Sequence, residues 1–169
     1  LNGSVLLAPR DGGQGFDANV TARNAKFGGA KPLSIGNAKI DATGLIKDGH
    51  STIEGTMLAE GIGMGKVFVG RLAAAAYLQD GSGSVTASVS GRRGTRFALQ
   101  GTAAFAPDQI VAYVSGEYAG RKVTMPRRAV MTRENDGWRL APTQIGFGRG
   151  ILIAEGHVLG GPTQMKLLL

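Results

Sequence analysis

The sequence contains no cysteine, which excludes disulfides, thiolate metal sites and a thiol nucleophile, and leaves the redox compartment open. Long hydrophobic runs are absent too. Even VFVGRLAAAAYL is broken by Arg71, so no window reaches the roughly 18 apolar residues that a membrane helix needs. Histidine occurs twice, as His50 beside an Asp-Gly pair and His157 late in the chain, and neither has a second ligand at metal-site spacing. There is no G-x-S-x-G elbow for a serine nucleophile. Gly65-Lys66 is followed by Val67, with Glu60 where the leading glycine of a phosphate loop would stand, so neither nucleotide fingerprint is met.

What is there is glycine, 28 residues of it, and short two-residue periods. Asp-Gly pairs at Asp11-Gly12, Asp48-Gly49, Asp80-Gly81 and Asp136-Gly137 supply the positive φ angles of tight hairpins. Between these and further breaks lie alternating runs. In FDANVTAR, Phe16, Ala18, Val20 and Ala22 share one face; in NAKIDAT, Ala38, Ile40 and Ala42; in SVTASVSG, Val85, Ala87 and Val89; in RFALQGTAAFA, Phe97, Leu99, Gly101, Ala103 and Phe105. QIVAYVSGEY, KVTM, RAVMTRE, TQIGFG and GILIAEGHV continue the series. RLAAAAYLQ has helical composition but is short and ends at a hairpin signal, so it is predicted as a strand with Leu72, Ala74, Ala76 and Leu78 on one side. Gly61, Gly63 and Gly65 fall on one side of their strand, predicting a bulge, a bend or the close approach of another backbone.

Chemistry is sparse. Asp11, Asp48, Asp80, Asp108 and Asp136 stand in turn contexts, and Glu54, Glu117 and Glu134 at polar strand positions or strand ends. Glu155, in a segment apolar on both faces, is the one carboxylate with an unusual setting. No catalytic residue, metal or cofactor is expected, and the chain is predicted not to be an enzyme. The net charge of +7 and pI near 10.1 raise nucleic acid as a partner. However, the basic residues read as scattered, and Arg92-Arg93-Arg96 and Arg127-Arg128 lack the interleaved aromatics of a stacking platform. No nucleic acid is expected.

Residues 1–169 show no composition shift and are predicted as one continuous all-β region. With about a dozen strands and no helices, the apolar sides must face each other in a sandwich, close as a barrel, stack as a solenoid or curl into a trough. Base rates favour the sandwich. Small inward residues among widely spaced phenylalanines, and strands that run to the final MKLLL, which reads as a strand cut short, favour the trough. The period is the same in every case.

GRLAAAAYLQDGSGSVTASVSGRRGTRFALQGTAAFAPDQIVAYVSGEYAGRKVTM, followed by ENDGWRLAPTQIGFGRGILIAEGHV and GGPTQMKLLL, resembles the repetitive β region of the TamB family, the translocation and assembly module subunit of Gram-negative bacteria. DGWRLAPTQIGFGRG is the most specific stretch. The resemblance implies a long curled, antiparallel-rich sheet, a taco-like trough with an apolar inner face, with the β-sandwich as the alternative. It implies a fragment of a periplasm-spanning AsmA-like bridge that carries phospholipid acyl chains between the inner and outer membranes. The inner-membrane anchor and the region meeting a TamA-like outer-membrane barrel would lie beyond the ends of this sequence. The family's alternative role is assembly of outer-membrane proteins such as autotransporters, by strand capture. The implied groove lining is Phe16, Val20, Ile40, Ile53, Met57, Leu72, Leu78, Val85, Val89, Phe97, Leu99, Phe105, Val114, Ile145 and Phe147.

Overall fold

Alternating sequence becomes strand almost throughout the computed structural model, which describes residues 1–29, 32–134, 137–158 and 164–168, the last segment by its backbone alone. The strands are β1 (Asn2–Arg10), β2 (Gly13–Phe27), β3 (Leu33–Lys47), β4 (His50–Met64), β5 (Val67–Gln79), β6 (Ser82–Arg93) and β7 (Thr95–Ala106). They continue as β8 (Gln109–Tyr118), β9 (Arg121–Thr124), β10 (Ala129–Glu134), β11 (Gly137–Phe147), β12 (Gly150–Val158) and β13 (Gln164–Leu168). RLAAAAYLQ lies within β5, where pairing on both sides overrides alanine's helical preference.

All the strands join one antiparallel sheet in sequence order. β9 and β10 both pair β8 and β11, so they share a single position interrupted by residues 125–128. Met125 plugs that interruption: it is buried, and its sulfur accepts the Val114 N–H at 3.1 Å. Among the described residues, strands pack substantially only on their neighbours in the sheet, and no second sheet faces the first. The sandwich is therefore corrected to a single layer. Gly15, Ala22, Ala59, Met125, Ala154 and Thr143 are the buried residues among those described, and no large side chain is fully buried. A closed core of the ordinary kind is missing among these residues.

The close approach of another backbone expected of the glycine row is found at Gly61, while Gly63 and Gly65 have other roles. Gly61 has φ +68° and faces Gly36, where an added Cβ would meet the Glu60 carbonyl oxygen at 3.0 Å; Gly63 pairs regularly with Ser34 and Phe68; Gly65, at φ +58°, is the hairpin turn itself. Asn24 (φ +48°), Gly36, Gly61 and Gly70, the last at a β-bulge, fall side by side across β2, β3, β4 and β5. Each inserts one residue into the alternation of its strand. The chain therefore steps from Ala22 to Ala25, from Ile35 to Ala38, from Ala59 to Ile62 and from Val69 to Leu72 without leaving the apolar side. β11 repeats the device between Leu140 and Thr143. Such aligned irregularities bend a sheet as well as re-phasing it.

Candidate functional site: an uncovered apolar face

The register strings the predicted lining residues together. Phe16 lies opposite Gly44, which lies opposite Ile53, and that opposite Leu78; Ala18, Ala42, Gly55 and Ala76 form the next row, and Val20, Ile40, Met57 and Ala74 the one after it. Leu72, Val89, Leu99 and Gly116 form another, and Gly83, Phe105 and Ile110 continue the Phe16 row beyond Leu78. Val85 lies between Ala76 and Ala103, Gly101 between Ala87 and Val114, Gly91 opposite Phe97, and Ile145 and Phe147 opposite Leu152 and Gly150. Because facing residues in a ladder project to the same side, every residue of the sequence-derived lining lies on one face.

Sequence reasoning missed part of this face. Phe27, Leu33, Ile35, Ile62, Met64, Val67 and Val69 join it across the glycine seam, and Ile110, Met131, Leu140 and Leu152 extend it. The available signal was the repeated step of apolar residue, two spacers, apolar residue, as in Ala59-Glu60-Gly61-Ile62.

Aromatic rings cover glycines on this face. A Cβ on Gly44 would collide with the Phe16 ring, and one on Gly91 would stand 2.9 Å from Phe97 Cζ. These pairs recover packing that a bare glycine forfeits. Tyr118 and Phe147 meet with ring centroids 5.8 Å apart. The side chains are half-buried against one another and remain open above: Ile40 is 40% and Ile53 37% exposed. On the opposite face stand Thr56, Thr86, Ser88, Thr102 and Gln100, all exposed. The alanines give a like-for-like comparison. Ala38, Ala42, Ala74, Ala76, Ala87 and Ala103 are all half-buried on the apolar side, whereas on the polar side Ala75, Ala98 and Ala104 are exposed and Ala73 and Ala106 half-buried. Alanines on the apolar side are thus shielded more uniformly than those on the polar side, as in a sheet curled toward its apolar side.

Surface hollows of about 390 to 590 Å³ lie on the polar face. The one of about 590 Å³ is floored by Ala73 and Ala75 between Leu58, Gln100 and Tyr113. Short Ala, Ser and Thr side chains leave depressions there.

Charge is sorted by end rather than by face. Successive strands reverse, so alternate turns lie at the same end. One rim carries Asp11-Gly12, Asp48-Gly49, Asp80-Gly81 and Asp108; the three Asp-Gly pairs have positive φ at both residues, the requirement of type I′ hairpins. This rim is internally compensated. Arg10 pairs with Asp17 at 2.8 Å, His50 Nδ1 lies 2.9 Å from Asp80, and His157 and Arg139 both approach Glu134. The Ser51 N–H and then His50 hold the Asp80 carboxyl below its ordinary range. In mid-sheet, Lys39 and then Asn19 do the same for Asp41.

The other rim carries Lys66, Arg92, Arg93, Arg96, Arg121, Lys122 and Arg149, all exposed. Only Glu60 and Glu117 stand on that half of the sheet among the described residues. These seven basic residues, scattered in sequence, are thus gathered at one end of the sheet.

Glu155 is half-buried on the polar face beside His157, and among the described residues no group of His, Asp and Glu is arranged to hold a metal. Comparison with protein-family models, with curated proteins and with solved structures finds no match to this chain.

Proposed function

We propose that the apolar face is a lane for lipid acyl chains and that the chain is part of a TamB-type bridge carrying phospholipid between the inner and outer membranes of a Gram-negative envelope. One observation carries the reading: apolar side chains from all the central strands join into a single uncovered face, with no layer packed on it among the described residues. An acyl chain crossing water exposes about 0.8 kcal/mol per methylene, so about sixteen of them meet a barrier of roughly 13 kcal/mol. A continuous apolar surface removes most of that cost at every point along the path. Such conduction needs no base, nucleophile or metal.

The test is to purify the chain without lipid-stripping detergent and analyse bound lipid by mass spectrometry. Phospholipid at one or more molecules per chain is the expected result. A lipid-free chain that is folded and monomeric would sink the proposal.

A second reading, a module that captures partner strands, has its own support. β1 is an edge paired on one side only by β2, and it exposes Val5, Leu6 and Leu7 at 66%, 62% and 66%. It accounts for that edge but leaves the far larger apolar face unexplained.

A further inference from the structure

The unequal rims have a consequence for which amphiphiles the face accepts. A lipid whose tail lies along the strands on the apolar side places its headgroup where that side ends, at the hairpin tips. Half of a 13-residue strand such as β5 spans roughly 20 Å at 3.3 Å per residue, comparable with the length of a tail reaching from rim to midline. The two rims then offer different chemistry to the headgroup. On the Asp-Gly rim, carboxylates already hold their own partners, His50 on Asp80 and Arg139 on Glu134. On the other rim Lys66, Arg92, Arg93, Arg96 and Arg149 are exposed, and among the described residues none is in an ion pair.

Two cations of the basic rim, Arg92 and Arg121, are positioned by the sheet itself. Arg92 lies opposite Arg96 in the β6–β7 ladder, an arrangement of like charges that repels until an anion is placed between them. Its guanidinium carbon stands 5.2 Å from the Phe68 ring centroid, a contact that holds the charged group in place; Phe68, Arg92 and Arg96 project from the polar side of the rim, so this pair reaches a headgroup around the end of the sheet. Arg121 lies 5.8 Å from the Phe147 ring centroid, and that ring is on the apolar face, so this cation sits where the face meets the rim. A guanidinium at such a border can bind a phosphate oxygen pair while the tail attached to it enters the apolar rows.

We infer that the basic rim is a headgroup track: it binds the phosphates of lipids whose tails occupy the apolar face, and it favours lipids of net negative charge. The inference rests on the lipid-lane reading and adds to it a direction across the sheet, with heads at the Gly65, Gly94, Gly120 and Gly148 turns and not at the Asp-Gly turns.

The test loads the 169-residue chain from vesicles containing equal phosphatidylglycerol and phosphatidylcholine and counts each bound lipid by mass spectrometry. The native chain is expected to hold phosphatidylglycerol in excess. Replacing Arg92→Gln, Arg93→Gln and Arg96→Gln together is expected to leave total lipid unchanged and to lower that excess by roughly tenfold, toward the vesicle ratio. Asp48→Asn with Asp80→Asn, on the opposite rim, is expected to leave it unchanged. Raising salt on the native chain gives the same comparison without mutation, because exposed charges are screened within about 8 Å at physiological ionic strength. Equal uptake of the two lipids by the native chain, or an excess that survives the triple substitution and high salt, would overturn the headgroup track while leaving the lipid lane intact. Uptake of neither lipid would overturn both. Rim arginines that bind single-stranded nucleic acid and leave lipid choice unaltered would assign the rim elsewhere.

Discussion

Leu99→Arg is expected to strip bound phospholipid from the chain while leaving the sheet folded. Leu99 stands in mid-face, opposite Val89 on one side and Gly116 on the other, so a tail that reaches from the basic rim to the midline over β6 to β8 lies on it. A guanidinium there has to be desolvated each time a tail covers it, at about 3 kcal/mol by the cost of arginine in a hydrocarbon setting. That corresponds to a loss of affinity on the order of a hundredfold. The fold tolerates the change because Leu99 is only half-buried and the arginine stem can lie along its neighbours with the charge held outward. Stability is expected to fall by about 1 kcal/mol or less, measured by chemical denaturation. Gln100→Arg, one residue away on the polar side, is the control and is expected to retain lipid. Equal retention by both variants would count against the face as the binding surface.

Gly116→Val is expected to have the largest effect on the fold itself. Two costs coincide at this residue. Its φ of +149° lies in a region side-chain-bearing residues rarely adopt, and an added Cβ would fall inside contact distance of the Ala98 carbonyl oxygen and 2.8 Å from Leu99 Cα. Backbone strain of about 1–3 kcal/mol and overpacking of a similar size combine to roughly 3 kcal/mol or more of lost stability. In a domain of this length that lowers the thermal midpoint by about 10 °C. Gly70→Ala supplies the contrast: there a Cβ meets its nearest neighbour, the Ser90 carbonyl oxygen, at an ordinary 3.7 Å. Its effect is expected to stay within about 0.5 kcal/mol. A neutral Gly116→Val in a thermal melt would mean the β7–β8 pairing is looser than the register implies.

Much of the fold is legible from local pattern because alternation is a property of a single strand. FDANVTAR and SVTASVSG show their apolar sides directly, and the Asp-Gly pairs of the described residues are hairpin tips as their φ requirement predicts. The β-rich reading of RLAAAAYLQ holds because a hairpin signal ends it and strands flank it. What local pattern does not carry is the identity of the opposing layer. Sandwich, barrel and trough present the same period, and only the lack of packing between non-adjacent strands among the described residues separates them. The seam at Asn24, Gly36, Gly61 and Gly70 was illegible for a related reason. One inserted residue per strand looks like a loss of pattern until four strands are laid side by side.

The rims illustrate a third limit. Arg92 and Arg121 are far apart in sequence, and Lys66 is farther still, yet antiparallel reversal returns each to the same end. Alternate turns in the sequence, Asp-Gly then Gly-Lys, already carry this sorting, but it emerges only when turns are counted in pairs. A basic composition that reads as diffuse along the chain becomes a one-sided electrostatic border once strand direction is fixed.

Lipid location can be read residue by residue with a photo-reactive side chain placed in turn at 88, 89, 99 and 100. Positions 89 and 99 lie on the apolar face, whereas 88 and 100, opposite each other in the same ladder, project to the polar face. Crosslinks to phospholipid from 89 and 99 alone are the expected result. Crosslinks from 88 and 100 instead, or equally from all four, would contradict an acyl-chain lane on the apolar side.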